Sequence, residues 1–187
     1  MTRTGSPSTE IPVDSVLEGA FGDRGDNVSL CSLRAGSGLF GIDTRQIREI
    51  LGKTVPQPVP LAPPYVAGIV PCRGEALTTL SLRALLGLDP SPGANCVLVL
   101  DDHEAGEFFG LIVDTVGGVV AIARDTVQPT PSTLDARSLA LFDGAVEMDH
   151  GLMVLLDPAR LSPTCLAKSG LFDSPAQFAD ARIGVPK

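Results

Sequence analysis

Tryptophan is absent from the 187-residue chain, and Tyr65 is the sole tyrosine. Seven phenylalanines complete the aromatics, so aliphatic packing by Val, Leu and Ile must fill any interior. Basic residues are scarce as well: 14 Lys and Arg stand against 22 Asp and Glu, a formal net charge of −8. An acidic chain without a basic patch is unsuited to nucleic acid and to anionic lipid, since both need clustered cations. Long apolar runs are missing. Those present fall far short of the ~20 residues that cross a bilayer, so no direct membrane insertion is expected. Histidine occurs only at His103 and His150, which lie far apart in the sequence, so neither a metal nor a cofactor is expected. Four cysteines (Cys31, Cys72, Cys96 and Cys165) are scattered without a C-x-x-C pair, and no charged-then-apolar leader opens the chain. Reduced thiols in a cytoplasmic protein are the expectation.

What is present suits a β-rich protein. Residues 1–27 are rich in Ser, Thr, Gly and Asp and read as a loose N-terminal arm, with a turn or two of helix from Asp14 to Ala20. Residues 162–187 read as a similar C-terminal tail, with Leu166, Leu171, Phe172 and Phe178 as docking points. Between them, residues 28–161 form the folded domain. Asn27–Arg34 and Leu39–Asp43 are strand-like segments around an A-G-S-G turn. D-T-R-Q-I-R-E-I-L predicts a short helix, with Asp43 and Gln46 as a capping box and Ile42 and Ile47 as a staple. The prolines from Pro56 to Pro64 then fit an extended edge segment and exclude a central strand.

Val66 to Leu80 reads as two strands separated by Arg-Gly, followed by a short helix capped by Ser81 and stopped at Gly87. Cys96–Leu100, Phe108–Val113 and Val119–Ala123 are apolar runs typical of buried strands. Thr126–Ser138 reads as a loop that has room for a turn of helix. Phe142–Met148 and Leu152–Leu156 are closing strands, and Asp157-Pro158 starts a last short helix. Nine or ten short strands at roughly 10-residue spacing imply an all-β barrel or sandwich, as one barrel or two small ones.

The segment Y-V-A-G-I-V-P-C-R-G-E-A-L-T-T-L-S-L-R-A-L-L, from Tyr65 to Leu86, resembles the CheW-like coupling family. So do L-F-G-I-D-T-R-Q-I-R-E-I-L upstream and F-F-G-L-I-V-D-T-V-G-G-V downstream, with L-F-D-G-A-V and L-M-V-L-L-D as closing blocks. The blocks occur in the family's order across residues 28–161. Two departures stand out: Pro71-Cys72 replaces the usual Asn-Leu before Arg-Gly, and Ser81 replaces an Asp. The resemblance implies two five-stranded, SH3-like barrels packed together and no active site. It also implies two partners, the regulatory domain of a CheA-type histidine kinase and the cytoplasmic tip of a methyl-accepting chemoreceptor. The protein would then be a non-catalytic adaptor for chemotaxis or chemosensory signalling, cytoplasmic and associated with membrane receptor assemblies.

Arg73 is the leading partner-binding candidate, because a guanidinium in an exposed turn can pair bidentately with a carboxylate. A structural ion pair within its own barrel is the competing reading. Ile47 and Glu49 match family positions that touch the receptor, although a staple and an ordinary surface acid would look the same. Gly68 and Gly74 accompany Arg73, as does Gly110, and all three suit backbone geometry as well as contact. Asp114 suits either a contact or a strand-ending acid that hydrogen-bonds the next turn. Two other function classes remain. A cysteine-dependent hydrolase would use Cys72, with His103 or His150 as base and Asp102 or Asp149 as orienter. A small β-barrel could instead bind a peptide or small ligand.

Overall fold

The computed structural model describes residues 27–91, 96–102, 106–130, 134, 136–149 and 151–172, excepting the side chains of Asp102 and Glu107. The N-terminal helix, Phe178, His103 and His150 lie outside the described residues. Among the described residues are ten strands: β1 (Asn27–Ala35), β2 (Gly38–Asp43), β3 (Ile47–Leu51), β4 (Val66–Cys72), β5 (Glu75–Ser81), β6 (Cys96–Asp102), β7 (Glu107–Val113), β8 (Thr115–Ala123), β9 (Phe142–Met148) and β10 (Gly151–Leu156). They form two five-stranded sheets, ordered β8-β1-β2-β10-β9 and β3-β6-β7-β5-β4. The class is all-β, as expected.

The two sheets repeat one plan. Each joins a hairpin to three further strands, through one parallel pairing: β10 with β2 in the first sheet and β5 with β7 in the second. In neither does a continuous ladder close a barrel. Past the end of one outer strand, β8 or β3, the chain meets the other outer strand at one isolated bridge, Gln128 with Ala145 in the first sheet and Gln57 with Ile69 in the second. Each bridge carries two backbone hydrogen bonds of 2.8–2.9 Å. The expected barrels are thus open sheets whose edges touch at a single point.

Alternation along the strands divides the core into three. The largest cluster lies between the sheets and includes Leu33 and Phe40 from one with Leu98, Leu100, Phe109 and Leu111 from the other. Leu30, Ile122, Val146 and Met153 fill the concave side of the first sheet. Val70, Leu77 and Val99 fill that of the second. Leu98 and Val99 are neighbours on β6 that serve different clusters, as period-two alternation requires when both faces are buried.

Short helices sit where caps predicted them. Ser81 Oγ accepts from the Ala84 N–H at the start of α1 (Leu82–Leu85), and Gly87 follows with a positive φ. Asp157 caps α3 (Pro158–Leu161) by accepting from the Ala159 N–H, with Pro158 at the first helical position. A six-residue helix, α2 (Ala136–Leu141), begins at the end of the loop, where a turn of helix was allowed for, and runs past it to β9.

Three expectations change. Residues 43–51 are not a helix: one 3₁₀ turn, Thr44–Gln46, leads directly into β3. The Asp43 carboxylate accepts from the Arg45 N–H and also pairs with the Arg45 guanidinium, so the cap completes itself within one turn. Ile47 is then extended, and β3 pairs with β6 where a short helix was expected. The stretch after Ser162 is not wholly loose either. Ser162 caps α4 (Pro163–Ser169), Gly170 ends it at φ +61°, and Leu166 and Phe172 are buried in the inter-sheet core. Finally, β8 starts at Thr115, well before Val119, because its ladder with β1 resumes beyond a bulge, pairing Leu33 with Val116 and Arg34 with Thr115, while Ser32 Oγ at the bulge donates to the Gly118 carbonyl.

Candidate protein-interaction surface

Arg73 and Gly74 form the two-residue turn between β4 and β5, with φ of +51° and +86°. Positive φ at both positions is what a tight hairpin of this kind demands, and glycine meets it without strain. Arginine does not; the left-handed region costs an L-residue about 1–2 kcal/mol. Its side chain is held in place from another strand. Arg73 Nη2 donates to Glu49 Oε2 at 2.8 Å and Arg73 Nε to Glu49 Oε1 at 3.2 Å. The guanidinium side chain stays 71% exposed while Glu49 is 24% exposed. Glu49 therefore presents the arginine at the rim and does not bury it.

Cys72 completes the cluster. Its Sγ donates to Glu49 Oε1 at 3.1 Å, so one carboxylate serves both the thiol and the guanidinium. That pair of donors, Arg73 first, holds the Glu49 carboxyl below its usual range. The same hydrogen bond, with some burial, pushes the Cys72 thiol above the ordinary thiol range. A nucleophilic cysteine needs the opposite shift.

Pro71, the departure beside Arg73, is harmless to the ladder. Ile69 directs its N–H and C=O to Gln57, away from β5. Two residues along, Pro71 has the same orientation, so its missing donor falls on the free edge of an edge strand.

A bulge between Ile47 and Glu49 in β3 decides what else reaches this rim. Ile47 is buried, 7% exposed, in the inter-sheet core. Arg48 and Glu49 would point to opposite faces of a regular strand; with the bulge both line one concavity of about 430 Å³. Its floor is Leu77 and Val99, and Phe108 stands at its edge. Of the residues singled out from sequence, Arg73, Gly74, Glu49 and Cys72 are brought together here. Gly68 lies farther along β4, against the Gln57 backbone. Gly110 packs in the interior of the second sheet, where a β-carbon would lie 2.8 Å from Thr79 and Val97 side-chain atoms.

Asp114 lies elsewhere, between the sheets. Its Oδ2 accepts from the Gly36 N–H at 2.7 Å and its Oδ1 from Arg83 Nε at 2.8 Å, while its own N–H donates to the Arg34 carbonyl. It ties the β1–β2 turn to α1. Arg48 and Phe108 were missed in the sequence, because 60 positions separate them and only the β3-β6-β7 order brings them together. No group of three or more metal-ligating side chains occurs among the described residues, and no helix there is long and apolar enough to cross a membrane.

The sequence model of the CheW-like domain family matches residues 29–164. The chain is 28% identical over 136 residues to a probable chemotaxis protein CheW of Rhizobium etli, covering 72% of this chain and 86% of that protein. It is 26% identical over 144 residues to the chemotaxis protein CheW of Treponema pallidum, covering 73% and 82%. The crystal structure of the scaffolding protein TtCheW from Thermoanaerobacter tengcongensis superposes with a TM-score of 0.62 at 21% identity, over 70% of this chain and 88% of that one. At that identity, the superposition speaks for the fold.

Proposed function

The chain belongs to the CheW-like domain family, and we propose that it acts as a non-catalytic adaptor, coupling a methyl-accepting chemoreceptor to a CheA-type histidine kinase. The observation that carries this reading is the rim arginine: Arg73 is fixed by Glu49 in a strained turn yet remains mostly exposed. Strain retained at an exposed position fits a contact residue, and a preorganised guanidinium loses little freedom on pairing with a partner carboxylate. Gly74 gives that turn its geometry, and Glu49 is its inner support. Ile47 serves as the packed base of β3.

Two similar sheet units give the protein two separate surfaces, so receptor and kinase could be held at once. Each contact need bury only about 800 Å² per partner. Repeated across an assembly at the cytoplasmic face of receptor arrays, weak contacts gain strength from high local concentration. The Cys72 hydrolase reading finds no support here, since the thiol is bound to a carboxylate and its pKa is raised.

Charge reversal tests the reading. Arg73→Glu should fold normally and lose most of its capture of the receptor fragment or the kinase regulatory domain in pull-downs. Undiminished capture of both would refute it.

A further inference from the structure

A concavity of about 720 Å³ opens on the concave side of the first sheet. Its floor is Leu30, Ile122 and Leu155, from three different strands, and the half-buried Val28 and Val127 also line it. The acids around it are engaged already: Asp43 with Arg45, and Asp143 and Asp157 each within 3.5 Å of Arg160. Arg124, on the same lining, has no carboxylate within ion-pairing distance among the described residues. The first described residues of the chain lie at this site. Asn27 pairs with Ala123, and Val28 with Ile122. Just upstream, Val13, Val16, Leu17, Ala20 and Phe21 recur at i, i+3, i+4, i+7 and i+8, the spacing of one helix face. Asp14 and Glu18 flank one side of that stripe, and Ser15 and Gly19 fall opposite it. Residues 22–26 join Phe21 to Asn27, a link of at most about 20 Å when extended.

We propose that residues 13–21 of the chain's own N-terminal arm dock in this concavity as a short helix, with the apolar stripe inward and Glu18 on Arg124. The tether selects this occupant, since a short link to β1 holds the stretch near the site at high effective concentration. Stability points the same way. A helix of nine residues is marginal alone in water, and Gly19 weakens it further, so it needs an apolar surface to form against. The concavity supplies one, with a volume inside the range of about 300–1,000 Å³ that encloses ligand-sized apolar groups. Charge sets the pairing. Arg124 follows Ala123, the partner of Asn27, so it sits at the tether end, where Glu18 is nearer than Asp14. This inference goes beyond the adaptor reading and stands whether or not that reading holds.

Hydrogen–deuterium exchange of the whole chain, read by mass spectrometry, tests it. Amides of residues 13–21 should exchange at least about tenfold more slowly than those of an unstructured peptide of the same sequence. Leu17→Asp and Phe21→Ser should each abolish that protection, whereas Ser15→Asp, on the opposite face, should leave it unchanged. Arg124→Glu should lower it, and adding Glu18→Arg should restore it. A nitroxide attached at Ser15→Cys, in a chain also carrying Cys165→Ser, locates the docked arm. It should broaden the amide resonances of Ile122, Arg124 and Val127 and spare those of Arg73 and Gly74. Exchange at the peptide rate in the parent, or protection that survives both Leu17→Asp and Phe21→Ser, would overturn the inference. So would broadening confined to the second sheet. Protection that disappears on dilution would place the arm on a second copy of the chain and overturn docking within one molecule.

Discussion

Gly68 passes so close to Gln57 that a β-carbon there would sit 2.2 Å from the Gln57 carbonyl oxygen. Gly68 also has φ of +142°, a conformation that side-chain-bearing residues rarely adopt. The first sheet repeats the close approach: a β-carbon on Gly144 would lie 2.8 Å from the Gln128 carbonyl oxygen. In both sheets the glycine precedes the residue that makes the lone edge-to-edge bridge.

Gly68→Ala should therefore break the Gln57–Ile69 bridge and destabilise the protein by about 2–4 kcal/mol, through strain and two lost backbone hydrogen bonds. Gly144→Ala should cost less, since its backbone lacks a positive φ. Urea denaturation of both variants checks the order. Equal stability of Gly68→Ala and the parent would show that the bridge contributes nothing.

Arg73→Gly separates presentation from folding. Glycine relieves a left-handed conformation costing an arginine about 1–2 kcal/mol, while an exposed ion pair contributes about 0–1 kcal/mol. Stability should stay within about 1 kcal/mol of the parent, or rise, while partner capture falls. A large loss of stability would make Arg73 a structural residue.

Glu49 gives a pH signature. Its carboxyl is held low chiefly by Arg73, then by Cys72, so the folded state favours the charged form. A depressed folded pKa stabilises above the unfolded value, near 4.5, and the contribution disappears as pH falls through the folded value. Glu49→Gln should be less stable than the parent at neutral pH, and the two should converge below pH 4.5. Thermal melts across that range test it, and a constant gap would contradict it.

Cys72 should alkylate slowly with iodoacetamide at neutral pH, since Glu49 and burial keep its thiol protonated. Cys165 is exposed and should react first; buried Cys31, with its pKa pushed up to about 11, should not react. Glu49→Gln should speed labelling at Cys72, because it removes the carboxylate that raises the thiol pKa. Site-resolved mass spectrometry reads each cysteine separately. Rapid labelling of Cys72 in the parent protein would revive the hydrolase reading.

Strands were legible wherever apolar residues ran together and turns carried glycine, as at Cys96–Leu100 and around Gly36. The helix expected from Asp43 was misread because a capping signal states only that a turn begins. Long-range pairing of Ile50 with Leu98 decided what followed. At Ser162-Pro163 and Gly170 the start and stop of α4 were written in the sequence, but the surrounding polar residues concealed them. Arg73 stood out beside its glycine. Its holder Glu49 matches a family position, but the ion pair joining them spans 24 positions that no local pattern encodes. The bulge that turns Arg48 toward Phe108 is a property of register, invisible until β3 is laid against β6.

Simultaneous occupancy is the decisive measurement. The protein, a receptor cytoplasmic fragment and a kinase regulatory domain, mixed at equal concentrations, should sediment together as a ternary species heavier than either pair. Receptor and kinase displacing one another from the protein, or neither binding, would contradict the adaptor account.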